Sequence, residues 1–139
     1  MPSLIDTDTP KDALTRIGYD NEDYELVFSD EFSVDGRTFY PGDDPFWEAV
    51  DLWYWATNDL EWYDPAQITT RDGALVIRME NRTNHEGMQY VSGMLQSWNK
   101  FCFTGGYIEI AISLPGPDES TQGYVSPPRS AGSSGADAT

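Results

Sequence analysis

Arg71-Asp72-Gly73 constrains the fold more than any other three residues of the chain. It joins Gln67-Ile-Thr-Thr70 to Ala74-Leu-Val-Ile-Arg-Met-Glu80, and an Asp-Gly pair between two such runs predicts a tight β-hairpin. Leu75, Ile77 and Met79 fall at every second position, which predicts one buried face on the second strand. Further strands are predicted at 24–28, at 90–93 continuing as 94–98, and at 106–114. In the last of these Ile108, Ile110, Ile112 and Leu114 alternate with Tyr107, Glu109, Ala111 and Ser113. Turn signals separate the runs: Asp35-Gly36, Pro41-Gly42-Asp43-Asp44-Pro45, and the polar stretch Asn81 to Gln89. Asp12 to Ile17 and Phe46 to Val50 read as short helical pieces. Many short strands set off by turns predict an all-β sandwich or barrel.

The 139 residues suit one domain. Three regions differ in composition. Residues 1–23 form a predicted extended acidic arm, residues 24–124 carry the strands, and residues 125–139 are Ser, Gly, Ala and Pro without periodicity, predicted to be disordered. The net charge of −16 is uneven, since residues 1–64 hold 17 acidic and 3 basic side chains. That balance excludes nucleic acid and an anionic membrane surface as partners. No apolar run approaches membrane-spanning length. With one histidine and one cysteine, a zinc site is not expected, and no cofactor is implied. Asp20-Asn-Glu-Asp23 lacks the spacing of a calcium loop and reads as solvated arm. Cys102, in Phe-Cys-Phe, is either a buried small hydrophobe or half of a disulfide whose partner lies outside the chain. Asn81-Arg82-Thr83 is a glycosylation sequon.

Asp51-Leu-Trp-Tyr-Trp-Ala-Thr-Asn-Asp-Leu-Glu-Trp-Tyr-Asp64 holds three of the five tryptophans. Two readings stand. Rings interleaved with hydrogen-bonding tips suit a surface that stacks on a flat polar ligand such as a sugar. The same composition suits a tryptophan-rich core strand with a polar outer face.

Longer matches decide more. Tyr24-Glu-Leu-Val-Phe-Ser-Asp-Glu-Phe32, Phe39 to Leu52, Tyr54-Trp-Ala-Thr-Asn-Asp-Leu-Glu-Trp-Tyr-Asp-Pro65, Asp72 to Ile77, Ser92 to Glu109 and Ser113-Leu-Pro-Gly116 resemble the first part of a glycoside hydrolase family 16 domain. The closer resemblance is to its fungal β-glucan-synthesis-associated branch. The resemblance implies a partial, truncated two-sheet β-sandwich, a concanavalin-like jelly roll whose concave face holds β-glucan. It implies retaining glycosidases or transglycosidases, a role in β-1,6- and β-1,3-glucan assembly in the fungal cell wall, and a type II membrane protein with a lumenal or extracellular domain. Carried over onto this chain, Asn58 and Glu61 match a donor-subsite stretch, and Trp62 and Trp98 are candidate stacking rings.

Retaining hydrolysis needs two carboxyls about 5–5.5 Å apart. In the family both come from one strand, which follows the region matched here, so no catalytic residue is assigned. Glu109 has no second acid at i+2 or i+4. The expectation is a fragment of a glucan-assembly domain, inactive by itself, and the alternative is a non-catalytic β-glucan-binding module. Tyr124-Val-Ser can be encoded by codons containing a splice-donor sequence, so residues 125–139 are expected to be translated intron or the product of a gene-model error. A half sandwich with open strand edges is expected to be unstable in isolation.

Overall fold

The structure is a computed structural model that describes residues 3–113. Leu114, the loop expected after it and the expected disordered tail lie outside the described residues. Among the described residues nine short strands run in chain order: β1 (Thr15–Ile17), β2 (Asp23–Glu25), β3 (Glu48–Ala49), β4 (Glu61–Tyr63), β5 (Ile68–Arg71), β6 (Ala74–Ile77), β7 (Glu80–Asn81), β8 (Tyr90–Ser92) and β9 (Leu95–Gln96). The described residues hold no α-helix, only two 3₁₀ turns at Lys11–Ala13 and Pro65–Gln67. None of these is long and apolar enough to cross a membrane.

The strands form four small sheets rather than two continuous ones: β1-β2, β3-β9, β4-β8-β7 and β5-β6. The β5-β6 hairpin is as the sequence predicts. Arg71 pairs with Ala74, leaving Asp72 and Gly73 as a two-residue loop with φ of 53° and 74°. Two successive positive φ values are what a type I′ turn requires. Pairing extends one step further, because the Arg78 amide donates to the Gln67 carbonyl. β4 lies parallel to β8, with Trp62 opposite Val91, and β7 flanks β8 antiparallel.

Phe39, Ala49 and Ile68 make the buried centre, with Phe32, Trp47, Leu75 and Leu95 packed around it. Fully burying a side chain such as Phe39 contributes about 1.5–3 kcal/mol. Phe28 touches Phe46, Trp47 and Phe101 at ring-centroid distances of 5.3, 5.8 and 4.8 Å. Lys100 anchors the chain after β9, reaching Glu48 at 3.3 Å and the Asp44 carbonyl at 3.0 Å.

Several expectations are corrected. Phe46 to Val50 is not helical. The Asp44 carboxylate accepts from the Phe46 and Trp47 amides, and the Ala49 and Val50 amides donate to Phe39 and Met94 carbonyls. Those long-range partners outcompete a local turn. Asp12 to Ile17 splits into a 3₁₀ turn and β1. The run from Ala74 to Glu80 breaks after Ile77, and only Leu75 reaches the core, while Ile77 and Met79 are exposed. β9 stops at Gln96, so Trp98 stands in a turn rather than a strand.

The clearest alternation, 106–113, is not paired into any described sheet, and Ile108, Ile110 and Ile112 are exposed. Alternation supplies an apolar face, but a strand also needs a neighbour's amides and carbonyls. An ion pair of Glu109 with Arg16 at 3.1 Å ties the segment to β1. Cys102 is exposed, which overturns its reading as a buried hydrophobe.

Candidate functional site

The aromatic stretch folds into a loop closed at its base by Leu52 and Tyr63. Each of these residues donates its amide to the other's carbonyl, at 3.1 and 2.9 Å. Inside the loop the chain turns on itself. The Thr57 amide reaches the Tyr54 carbonyl and the Asn58 amide the Trp55 carbonyl, both at 3.2 Å. Asn58 has φ of 56°, a left-handed conformation that asparagine tolerates better than most residues. The Trp53 indole donates to the Asp59 carbonyl at 2.8 Å and ties the two arms together.

That geometry turns large rings outward. Trp53, Tyr54 and Trp55 are all exposed, Trp55 at 76%. The core-strand reading therefore fails for these three residues. Beside them Asp59 and Glu61 converge on one phenol. Tyr63 Oη donates to Asp59 Oδ2 at 2.8 Å and lies 3.3 Å from Glu61 Oε1. Burial, the Asp59 hydrogen bond and the neighbouring Glu61 charge push the Tyr63 phenol well above the usual tyrosine range. The phenol therefore stays a proton donor, and Asp59 Oδ2 accepts from it.

The four residues matched to the family are only partly brought together. Asn58 and Glu61 belong to this loop and the strand that closes it. Trp62 follows Glu61 on β4 and so projects to the other side. There its indole donates to Asp51 at 2.7 Å and the His85 ring meets it edge-on at 5.3 Å. Trp98 is 80% exposed after β9 and makes no ring contact with Trp62 among the described residues. Asn81 is exposed on β7. The sequence assigns no individual role to Trp55, Asp59 or Tyr63, although all three stand in the aromatic stretch it marks out. Their signal was the density of rings and acids, but only the loop closure shows which rings face outward.

A concavity of about 320 Å³ lies apart from this loop, between residues 3–7 and Asp30, Arg37, Asp44 and Phe46. Its carboxylates are committed internally: Asp6 to the Asp8 and Glu31 amides, Asp30 and Asp44 to Arg37. Among the described residues no group of histidine, cysteine and acidic side chains is placed to hold a metal ion.

Among solved structures, this fold is similar to that of an endo-β-1,3-glucanase from Pyrococcus furiosus. The TM-score is 0.50 at 20% identity, over 63% of this chain and 35% of that one. The architecture is thus mostly β and in part that of a glucanase domain. The chain itself belongs to the beta-glucan synthesis-associated protein SKN1/KRE6/Sbg1 family, whose profile matches residues 1–126. It is 58% identical over 113 residues, 81% of its length, to beta-glucan synthesis-associated protein KRE6 of Saccharomyces cerevisiae. It is 57% identical over 114 residues, 82% of its length, to beta-glucan synthesis-associated protein SKN1 of Candida albicans. The chain spans only 16% and 15% of these two curated relatives.

Proposed function

We propose that this chain is part of a β-glucan-binding domain, a family 16-like jelly roll of fungal cell-wall glucan assembly, and that the loop between Leu52 and Tyr63 contributes to its glucan surface. The observation that carries this reading is the exposure of Trp53, Tyr54 and Trp55 beside the acceptors of Asp59 and Glu61. Solvent-facing rings with hydroxyl-binding groups at their edge match a sugar's apolar face and polar rim. Asn58 and Glu61 are assigned to hydroxyl contacts, and Trp62 and Trp98 to flanking positions. Glu109 pairs with Arg16 and accepts from Tyr107, so the described residues are assigned to holding the polymer rather than to cleaving it. Membership of the family supports a lumenal or extracellular position, where the exposed Asn81 sequon is an acceptor for a glycan.

Titration with laminarin, a β-1,3-glucan, and pustulan, a β-1,6-glucan, while following tryptophan emission tests the reading. A saturable blue shift with at least one polymer is expected, because stacking removes Trp53 and Trp55 from water. An unchanged spectrum with both polymers overturns it.

A further inference from the structure

Tyr63 is fixed twice, by its backbone and by its ring, and the two attachments have separable consequences. The backbone pair with Leu52 closes the loop whatever the side chain carries. The phenol does something else: it stands between the carboxylates of Asp59 and Glu61, at 2.8 and 3.3 Å. A phenol has one proton, so it can donate fully to only one of them. The shorter contact assigns that proton to Asp59. Glu61 is left with acceptor capacity beside a phenol oxygen that can itself accept. The Trp53 indole meanwhile holds the Asp59 carbonyl, so the acid is positioned at both its main chain and its side chain. The same loop carries the exposed rings of Trp53, Tyr54 and Trp55, and the Trp53 indole bond joins that surface to the Asp59 main chain.

We infer that Tyr63 is a positioning residue of the glucan site, holding Asp59 and Glu61 as a pair of acceptors for adjacent hydroxyls of one glucose unit. The inference rests on the proposed function and extends it, adding Asp59 as a direct sugar contact. Two carboxylates around one phenol offer several acceptor oxygens and a single shared proton. They recognise a ligand that donates, as a diol does. They disfavour one that only accepts, such as a sugar methylated at both oxygens.

A double-mutant cycle on the full chain tests this. Laminarin and pustulan are titrated calorimetrically into the native protein, Tyr63→Phe, Asp59→Asn and the double variant, with near-ultraviolet spectra checking the fold. Each single change is expected to weaken binding of the preferred glucan about five- to tenfold, the scale of one lost hydrogen bond. The losses are expected to be less than additive in the double variant, because part of the Tyr63 effect runs through Asp59. Undiminished binding by Tyr63→Phe, or additive losses, overturns the inference and leaves the glucan-binding reading standing. Loss of fold in a variant moves the decision to the native protein with carbon-13 at the tyrosine ring. The Tyr63 resonance should stay that of a protonated phenol as pH rises past the ordinary tyrosine value, since burial, the Asp59 hydrogen bond and the Glu61 charge all raise it. Bound glucan should move that resonance. Binding that leaves it unmoved overturns the inference alone, and no binding of either glucan overturns both.

Discussion

Arg37 and Asp30 meet fork to fork, Nη1 on Oδ1 at 2.7 Å and Nη2 on Oδ2 at 2.9 Å. Nη2 also reaches Asp44 Oδ2 at 2.7 Å, and the guanidinium lies over the rings of Phe32 and Phe39. Asp30 takes a further bond from the Trp47 indole at 2.8 Å. One arginine thus links the segments that carry Phe32, Phe39 and Trp47, the wall of the buried centre. Arg37→Ala strands two carboxylates that are each only 9% exposed. A loss of about 3 kcal/mol is expected, the scale for breaking a largely buried pair on one side. Arg37→Lys should recover little of it, since an ammonium cannot fill two parallel contacts. Urea unfolding followed by tryptophan emission measures both.

The same pair sets an acid limit. Burial pushes the Asp30 carboxyl up, but Arg37, the Phe32 amide and the Trp47 indole together outweigh it and hold the group below its ordinary value of 3.8. A carboxyl depressed in the folded state contributes stability that is complete above that ordinary value and is lost as pH falls through the lower, folded value. The urea midpoint should therefore fall as pH drops below about 4, the ordinary range of an aspartate. In Asp30→Asn the midpoint should be lower at neutral pH and respond less steeply to acid. A variant with the native acid dependence would show that another carboxyl governs the limit.

What was legible in the sequence was what is local. The β5-β6 hairpin could be read because Asp72 and Gly73 dictate their own turn and their flanks pair with each other. β3 could not, because Glu48 pairs with Gln96 and Ala49 with Leu95, nearly fifty positions away. The parallel pairing of Glu61 with Tyr90 is of the same kind. For 106–113 the alternation was plain but described no partner, and pairing is a property of two segments. At the candidate site the stretch itself was evident. The sorting of its rings was not: Trp62 turns to Asp51 and His85 while Trp55 turns to solvent, and this follows from closure at Leu52 and Tyr63.

Gly93 sits where β8 leaves for β9, against the core. A Cβ there would run into the side chain of Ile68, which is buried, and would crowd Ile77. Gly93→Ala should therefore cost about 1–3 kcal/mol by overpacking. Ile68→Ala removes Cγ1, the atom a Cβ at Gly93 would meet first, so Gly93→Ala should cost less stability in the Ile68→Ala background than in the native one. If its cost is the same in both backgrounds, crowding at Ile68 is not the cause. Thermal unfolding of the three variants decides.

Trp55 and Trp62 separate binding from folding. Trp55 is mostly exposed and its indole is not needed to close the loop, which Trp53 and the Leu52 pair accomplish. Trp62 is half-buried, bonded to Asp51 and packed on His85. Trp55→Ala should leave the urea midpoint within about 0.5 kcal/mol of native, as surface changes do. It should weaken the preferred glucan about tenfold, which corresponds to roughly 1.4 kcal/mol of lost stacking. Trp62→Ala should do the reverse, lowering stability by about 1–3 kcal/mol through lost packing on β4 and His85. Its effect on glucan affinity at temperatures where it remains folded should be smaller than that of Trp55→Ala. Equal losses of affinity in the two variants would mean that the polymer crosses β4 and touches both of its sides, and the binding surface would then have to be extended towards His85.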